Sequence, residues 1–413
     1  MPRCRINFLL LAEQKEEVDL SITDVDPYVI AHPCCVRQYP QKQCGTVATS
    51  ILAGFRVRQP VRRGCGAAAA SAASGPGGPV GGAGGAELPP GPGVVPSCYT
   101  PFVASPTHRS RIEGGIFGLL VGDALGVPYE FHRPTAIPPI DQIEMEPPPG
   151  FDRAHAGTPP GTWSDDGAHA LCLLASLLHV GRLDPEDLAR RLTNWYEHRY
   201  LAVDNRVFDV GVQTGRALRA FRAGAAAVDA GPHTEGENGN GSLMRVLPLA
   251  LWHRGTDAEL VGDAQLQSRV THGHPRSQLC CALYCLWARR ILGGSEVGAA
   301  WTDATSTLRE IMRGDDGADA ELEFHIRPDD EPVGQGSGYV VDCLRSARAA
   351  VAAGPYEQVV RAAIRLGNDT DTTACVAGGI AGVRDGVEAI PRRWMEMLRE
   401  RETAGGLIEG LLA

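Results

Sequence analysis

Lysine is almost absent from this chain of 413 residues: Lys15 and Lys42 are its two copies, and every later Lys or Arg position is arginine. No apolar run approaches the ~18 residues that a membrane-spanning helix needs. The early run over residues 6–12 is broken by Asn7 and followed by Glu13, Lys15, Glu16 and Glu17, which is too short and too charged for a secretory signal. The 12 cysteines include no Cys-x-x-Cys pair, so a structural zinc site lacks its usual spacing. An excess of positive charge is missing too. There are 39 Lys+Arg against 49 Asp+Glu, a formal net charge of −10. Counted along the chain, residues 1–110 carry +3 and the rest −13, a balance that repels phosphate chains. These absences predict a cytoplasmic protein with reduced thiols that acts on neither membrane nor nucleic acid. A monomer is the expectation, although the sequence leaves the oligomeric state open.

What is present changes character near residue 110. Residues 64–94 hold 11 Gly, 8 Ala and 5 Pro with Glu87 as the sole charge, too little burial to offset chain entropy. The expected organisation is an extension over 1–63, a mostly disordered Gly/Ala/Pro-rich linker over 64–110, and one all-α domain over 111–413. Ile112, Ile116, Leu119, Leu120 and Val127 recur near a 3.6-residue period. Residues 171–178, 185–196, 279–292, 340–353, 356–366 and 372–383 read as further helices, the second opened by Asp184 as N-cap and Pro185 in its first turn. Cys281 and Cys285 share a helix face and read as core. The acidic stretch 314–331 reads as a solvated loop, because it lacks the spacing and turn glycine of a calcium loop.

Two segments place paired carboxylates where helices begin: GTWSDDG (161–167) and GNDTDTT (367–373). One capping Asp satisfies free N–H groups and the helix dipole. Four exceed that need. Asp369 and Asp371 with Thr372, and Asp165 and Asp166 with Ser164, form an all-oxygen donor set that selects Mg²⁺ or Mn²⁺ over zinc or copper. If the two helix starts meet, they form a cage for two ions. If they do not, they are two unrelated caps. GDALGVPYE (122–130) puts Asp123 on the apolar face of its helix and Glu130 just past the helix end. GNGSLMR (239–245) offers glycines that let backbone N–H groups approach a phosphate. In THGHP (271–275), His272 can reach a ligand oxygen, whereas His274 before Pro275 reads as structural.

These segments, with FDVG (208–211), GSGYVVD (336–342) and the continuation through ACVAGGIAG (374–382), occur in an order that resembles the ADP-ribosylglycohydrolase family, over residues 111–398 or so. The resemblance implies an all-α fold and a hydrolase that removes ADP-ribose from modified protein side chains or small ADP-ribosyl compounds, using two Mg²⁺ or Mn²⁺ ions. It implies metal ligation by Ser164, Asp165, Asp166, Asp369, Asp371 and Thr372, and proton handling by Asp166 and Glu130. It further implies substrate contacts from Asp209, Asn240, Gly241, Ser242, His272, Ser337 and Tyr339. The family often has Thr where Gly167 stands and Asn where Val212 stands. Those departures leave open an alternative, a non-catalytic ADP-ribose-binding or toxin-immunity protein. A helical metal phosphohydrolase is disfavoured, because no histidine here precedes an aspartate.

Overall fold

The computed structural model describes residues 105–413. The extension expected over 1–63, and the expected linker up to residue 104, lie outside the described residues. Two helices form the centre, α1 (His108–Gly126) and a late antiparallel partner, Thr370–Asp385. Their axes approach until backbones touch. A Cβ on Gly122 would lie 2.2 Å from the carbonyl oxygen of Ala374, and one on Gly126 would lie 2.4 Å from the Cα of Asp371. Tyr356 donates to the Gly118 carbonyl at 2.8 Å from the flank, and Thr370 Oγ1 donates to the Gly126 carbonyl at 2.8 Å. This contact sets the end of α1 directly against the start of its partner.

Around the pair stand α2 (Asp165–Val180), α3 (Pro185–His198), α4 (Val212–Arg222), α5 (Ala227–Ala230), α6 (Leu247–Trp252) and α7 (Asp257–Arg269). Then follow α8 (Pro275–Leu292), α9 (Val297–Ile311), α10 (Asp316–Ala320), α11 (Val340–Val351) and α12 (Tyr356–Arg365). The central partner is α13 (Thr370–Asp385), and α14 (Arg392–Met397) and α15 (Arg401–Leu412) close the domain. Among the described residues no strand forms; Gly239 and Tyr339 make an isolated bridge. The expected all-α class is therefore what the structure has. Local signals worked where they were strong. Asp184 caps α3 by accepting from Asp187 N at 3.0 Å, and Cys281 and Cys285 are fully buried in α8.

The stretch 314–331 corrects the sequence reading. It is not a loop throughout: Asp315 accepts from the N–H groups of Gly317 and Ala318 and starts α10, which runs into a π-helical turn over Glu321–Ile326. Ala318, Leu322 and Ile326 recur every fourth residue and are buried. Three apolar positions suffice to dock a short helix, even when the exposed face is almost wholly acidic.

Candidate active site

The site is assembled from helix starts. Ser164 has extended backbone and its Oγ accepts from Asp166 N at 3.2 Å, the N-cap of α2. A second group braces the same turn. Asp123 of α1, fully buried, accepts from Ser164 N with each oxygen at 3.0 Å and from Gly167 N at 2.8 Å. Asp123 is thus a structural clasp between α1 and α2. Burial pushes its carboxyl up to about 7 despite those three hydrogen bonds.

The second acidic turn is held from the opposite side. Asn368 adopts a left-handed backbone (φ 62°), donates its N–H to the His132 carbonyl at 2.6 Å and accepts from Phe131 N at 2.6 Å. Glu130, the residue before Phe131, is thereby tied to the start of α13. The two turns meet: Thr372 Oγ1 donates to Asp166 Oδ1 at 3.4 Å, although the residues are 206 positions apart. Oxygens of Glu130, Asp369 and Asp371 lie within 4.8 Å of one another, as do ligand atoms of Glu130, His155 and Asp209.

Such crowding is electrostatically costly. Burial first, and then the neighbouring carboxylates, push Glu130, Asp165, Asp166 and Asp371 well above the usual carboxylate range. Burial and Asp369 push Asp209 up to about 6. Asp166 Oδ2 and both side-chain oxygens of Asp371 are buried with no hydrogen-bond partner. Unpaired buried carboxylate oxygens facing one another cost several kcal/mol unless protons or cations compensate them. An almost purely oxygen donor set of this kind fits hard divalent cations. His155, which no sequence pattern singled out, adds one nitrogen at the edge.

Beside this cage lies the Asn240 turn. Asn240 Nδ2 donates to Asp369 Oδ2 at 2.8 Å and its backbone N–H donates to the Gly338 carbonyl at 3.0 Å. Gly239 N donates to Gln213 Oε1 at 2.7 Å. Gly241 sits against His272: a Cβ there would lie 2.8 Å from the ring's Cε1. His272 bonds Thr271 Oγ1 at 2.8 Å, and burial and then Arg245 push its proton affinity down to about 3, so the ring is neutral. Ser337 donates its N–H and its hydroxyl to Asp342, and Tyr339 OH accepts from Arg276 at 3.1 Å. Ser242 is fully buried, its hydroxyl held by Ser268 at 2.9 Å and by Cys281. Its side chain braces the turn from behind. Arg245, whose role the sequence did not disclose, is also fully buried and ties Gly241 O, Thr271 and Gln267 together.

The ADP-ribosylglycohydrolase sequence model matches residues 104–413. The chain is similar to the ADP-ribosylarginine hydrolase Tri1 of Serratia proteamaculans, 30% identical over 322 residues covering 76% of this chain and 82% of the relative. It is likewise similar to the ADP-ribosyl-[dinitrogen reductase] glycohydrolase of Rhodospirillum rubrum, 29% identical over 302 residues covering 72% and 92%. This chain belongs to the ADP-ribosylglycohydrolase family. A solved structure described as an ADP-ribosylglycohydrolase-related protein complex superposes with a TM-score of 0.57 at 32% identity, covering 74% of this chain and 97% of that one. The hydrolase class expected from the motifs stands with the family.

The family departure at Gly167 has a packing reason. A Cβ there would lie 2.7 Å from Leu120 Cδ2 and 2.9 Å from Trp163 Cβ, so a threonine would displace a core tryptophan. Val212 opens α4 and is 50% exposed, which leaves an apolar surface where an amide would stand.

The crowded carboxylates make stability depend on pH in a definite direction. Asp209 and Asp123 bind protons more tightly folded than unfolded, near about 6 and about 7. That stabilisation is complete below the unfolded carboxyl range, ~4, and is lost as pH rises through those values. The metal-free protein is expected to melt several degrees lower at about pH 8 than at about pH 5, and Mg²⁺ is expected to reverse the loss at the higher pH. Scanning calorimetry with and without EDTA checks this. A melting temperature that rises with pH in EDTA would refute it.

Among the described residues, no helix is long and apolar enough to cross a membrane.

Proposed function

We propose that this chain hydrolyses the glycosidic bond between ADP-ribose and a modified protein side chain, reversing ADP-ribosylation. Two Mg²⁺ or Mn²⁺ ions would be held by Ser164, Asp165, Asp166, Asp369, Asp371 and Thr372. The observation that carries this reading is the set of partnerless buried oxygens on Asp166 and Asp371, on two turns that touch. When bound, the ions supply the Lewis acidity that fixes ribose hydroxyls and lowers the cost of generating a nucleophile.

The chain's own groups do the rest. Glu130 and Asp166, both buried and both pushed toward protonation, handle the proton that must leave the attacking water and the proton that the departing atom must gain. Asp209 stands within 4.8 Å of Glu130, where a departing side chain passes. The Asn240–Gly241 turn and the neutral His272 receive the diphosphate, which a close-packed glycine backbone can approach. Ser337 and Tyr339, paired to that turn through Gly338 and Gly239, bound the nucleotide end. The six described cysteines are free and buried, which supports a reducing, cytoplasmic setting.

The test is an assay of released ADP-ribose from arginine-linked and serine-linked ADP-ribosylated proteins, each with Mg²⁺, Mn²⁺ or EDTA. Release from at least one linkage, abolished by EDTA, is the expected result. Calorimetric binding of ADP-ribose without release from any linkage would replace the enzyme by a binding protein on the same fold.

A further inference from the structure

His155 lies on a loop with no sequence motif, yet it reaches the centre of the site. Its Nε2 is 2.7 Å from Oε2 of Glu130, with the two side chains 13% and 6% exposed. Its ring packs between Phe131 and Phe208, at centroid distances of 5.5 and 5.0 Å. The loop is strapped to the Glu130 segment, since Ala154 N donates to the Pro128 carbonyl at 3.0 Å. His155, Phe131, Asn368 and Asp209 all hold positive φ, from 49° to 62°, without being glycine. Four non-glycine residues in that region around one carboxylate indicate backbone held in place by its surroundings.

Glu130 needs such a hold. It follows a three-residue turn, has three side-chain torsions, and faces Asp209, Asp369, Asp165 and Asp166. Burial among other carboxyl groups does not by itself choose one orientation for it. A buried hydrogen bond from a fixed ring is strong enough to choose one rotamer.

We propose that His155 is a positioning residue, which fixes the Glu130 carboxylate by donating Nε2–H to Oε2 from an aromatic slot formed by Phe131 and Phe208. Its effect on turnover rests on the proton-handling role proposed for Glu130; its effect on geometry does not. Two variants separate the ring from the donor. His155→Phe keeps the packing and removes the donor; His155→Gln loses the ring and keeps an N–H at similar reach. In the Phe variant kcat is expected to fall about 10- to 100-fold, with KM within about twofold. The Gln variant is expected to recover most of kcat. Crystal structures of both should show Glu130 displaced in the Phe variant and retained in the Gln variant.

An undisplaced Glu130 in the Phe variant overturns the proposal, whatever kcat does. A Gln variant as impaired as the Phe variant, with melting temperatures like the wild type, overturns it as well. A displaced Glu130 with undiminished kcat upholds the positioning and instead removes Glu130 from the proposed chemistry. Should the Phe variant fail to fold, the Gln structure and kcat decide alone: Glu130 out of place with kcat reduced overturns the donor role, and Glu130 in place with kcat kept upholds it.

Discussion

Asp371→Ala is expected to lower kcat/KM by about 10³-fold or more, while the protein stays folded. Asp371 is completely buried, and neither of its oxygens has a hydrogen-bond partner in the protein. The fold therefore loses no side-chain hydrogen bond to a donor when alanine replaces it. Its charge is repelled by Glu130, Asp209, Asp166 and Asp369. Removing it relieves that repulsion, so in EDTA at about pH 8 the variant should melt no lower than the wild type. The rise in melting temperature on adding Mg²⁺ should shrink or vanish, because a ligand that binds only the folded state stabilises in proportion to its affinity. Asp369→Ala should lose activity in the same way, but with less gain in EDTA, since Asp369 also accepts from Asn240. Kinetics, circular dichroism and calorimetry on the same samples check all three statements. Undiminished release of ADP-ribose by Asp371→Ala would remove the proposed cage from the mechanism.

The second large effect comes from a single methyl group placed between two helix backbones. In Gly122→Ala the new carbon would sit 2.2 Å from the Ala374 carbonyl oxygen and 2.7 Å from its carbon. Both are backbone atoms inside α13, so no rotamer change can clear the clash. The helices must separate, and the contact they lose lies at the centre of the domain. A destabilisation above about 3 kcal/mol is expected, the upper end for overpacking in a core. Activity should fall with it, because α1 carries Asp123 and α13 begins at the acidic turn. Gly262→Ala is the control. Gly262 is an exposed residue inside α7 with nothing within 4 Å of the added carbon. There, alanine should be neutral or stabilise by up to ~1 kcal/mol, from helix propensity alone. Urea denaturation of the two variants measures the contrast; equal midpoints would show that the close approach of α1 and α13 is dispensable.

Much of the helical framework is legible because its signals are local. An N-cap acts within three residues, so Asp184 announces α3 without reference to the rest of the chain. Apolar periodicity marks α8, α11 and α12 for the same reason. The segment 314–331 escaped because charge on its outer face outweighs three buried positions on the inner one. Gly122 and Gly126 carry the opposite lesson. By propensity they weaken a helix, and only the backbone of α13 lying against them shows what they are for.

By itself the sequence determined the groups available: clustered oxygen donors in two helical turns, a glycine-flanked turn, and an acidic helical domain without lysine. Residue identity and spacing within a turn decide such properties. Only the tertiary structure decided that Thr372 reaches Asp166, that Asp123 clasps rather than reacts, and that His155 stands against Glu130. Those relations join residues far apart in the chain. They exist because α1 and α13 pack closely enough to bring their ends, and the charges on them, into one enclosed space.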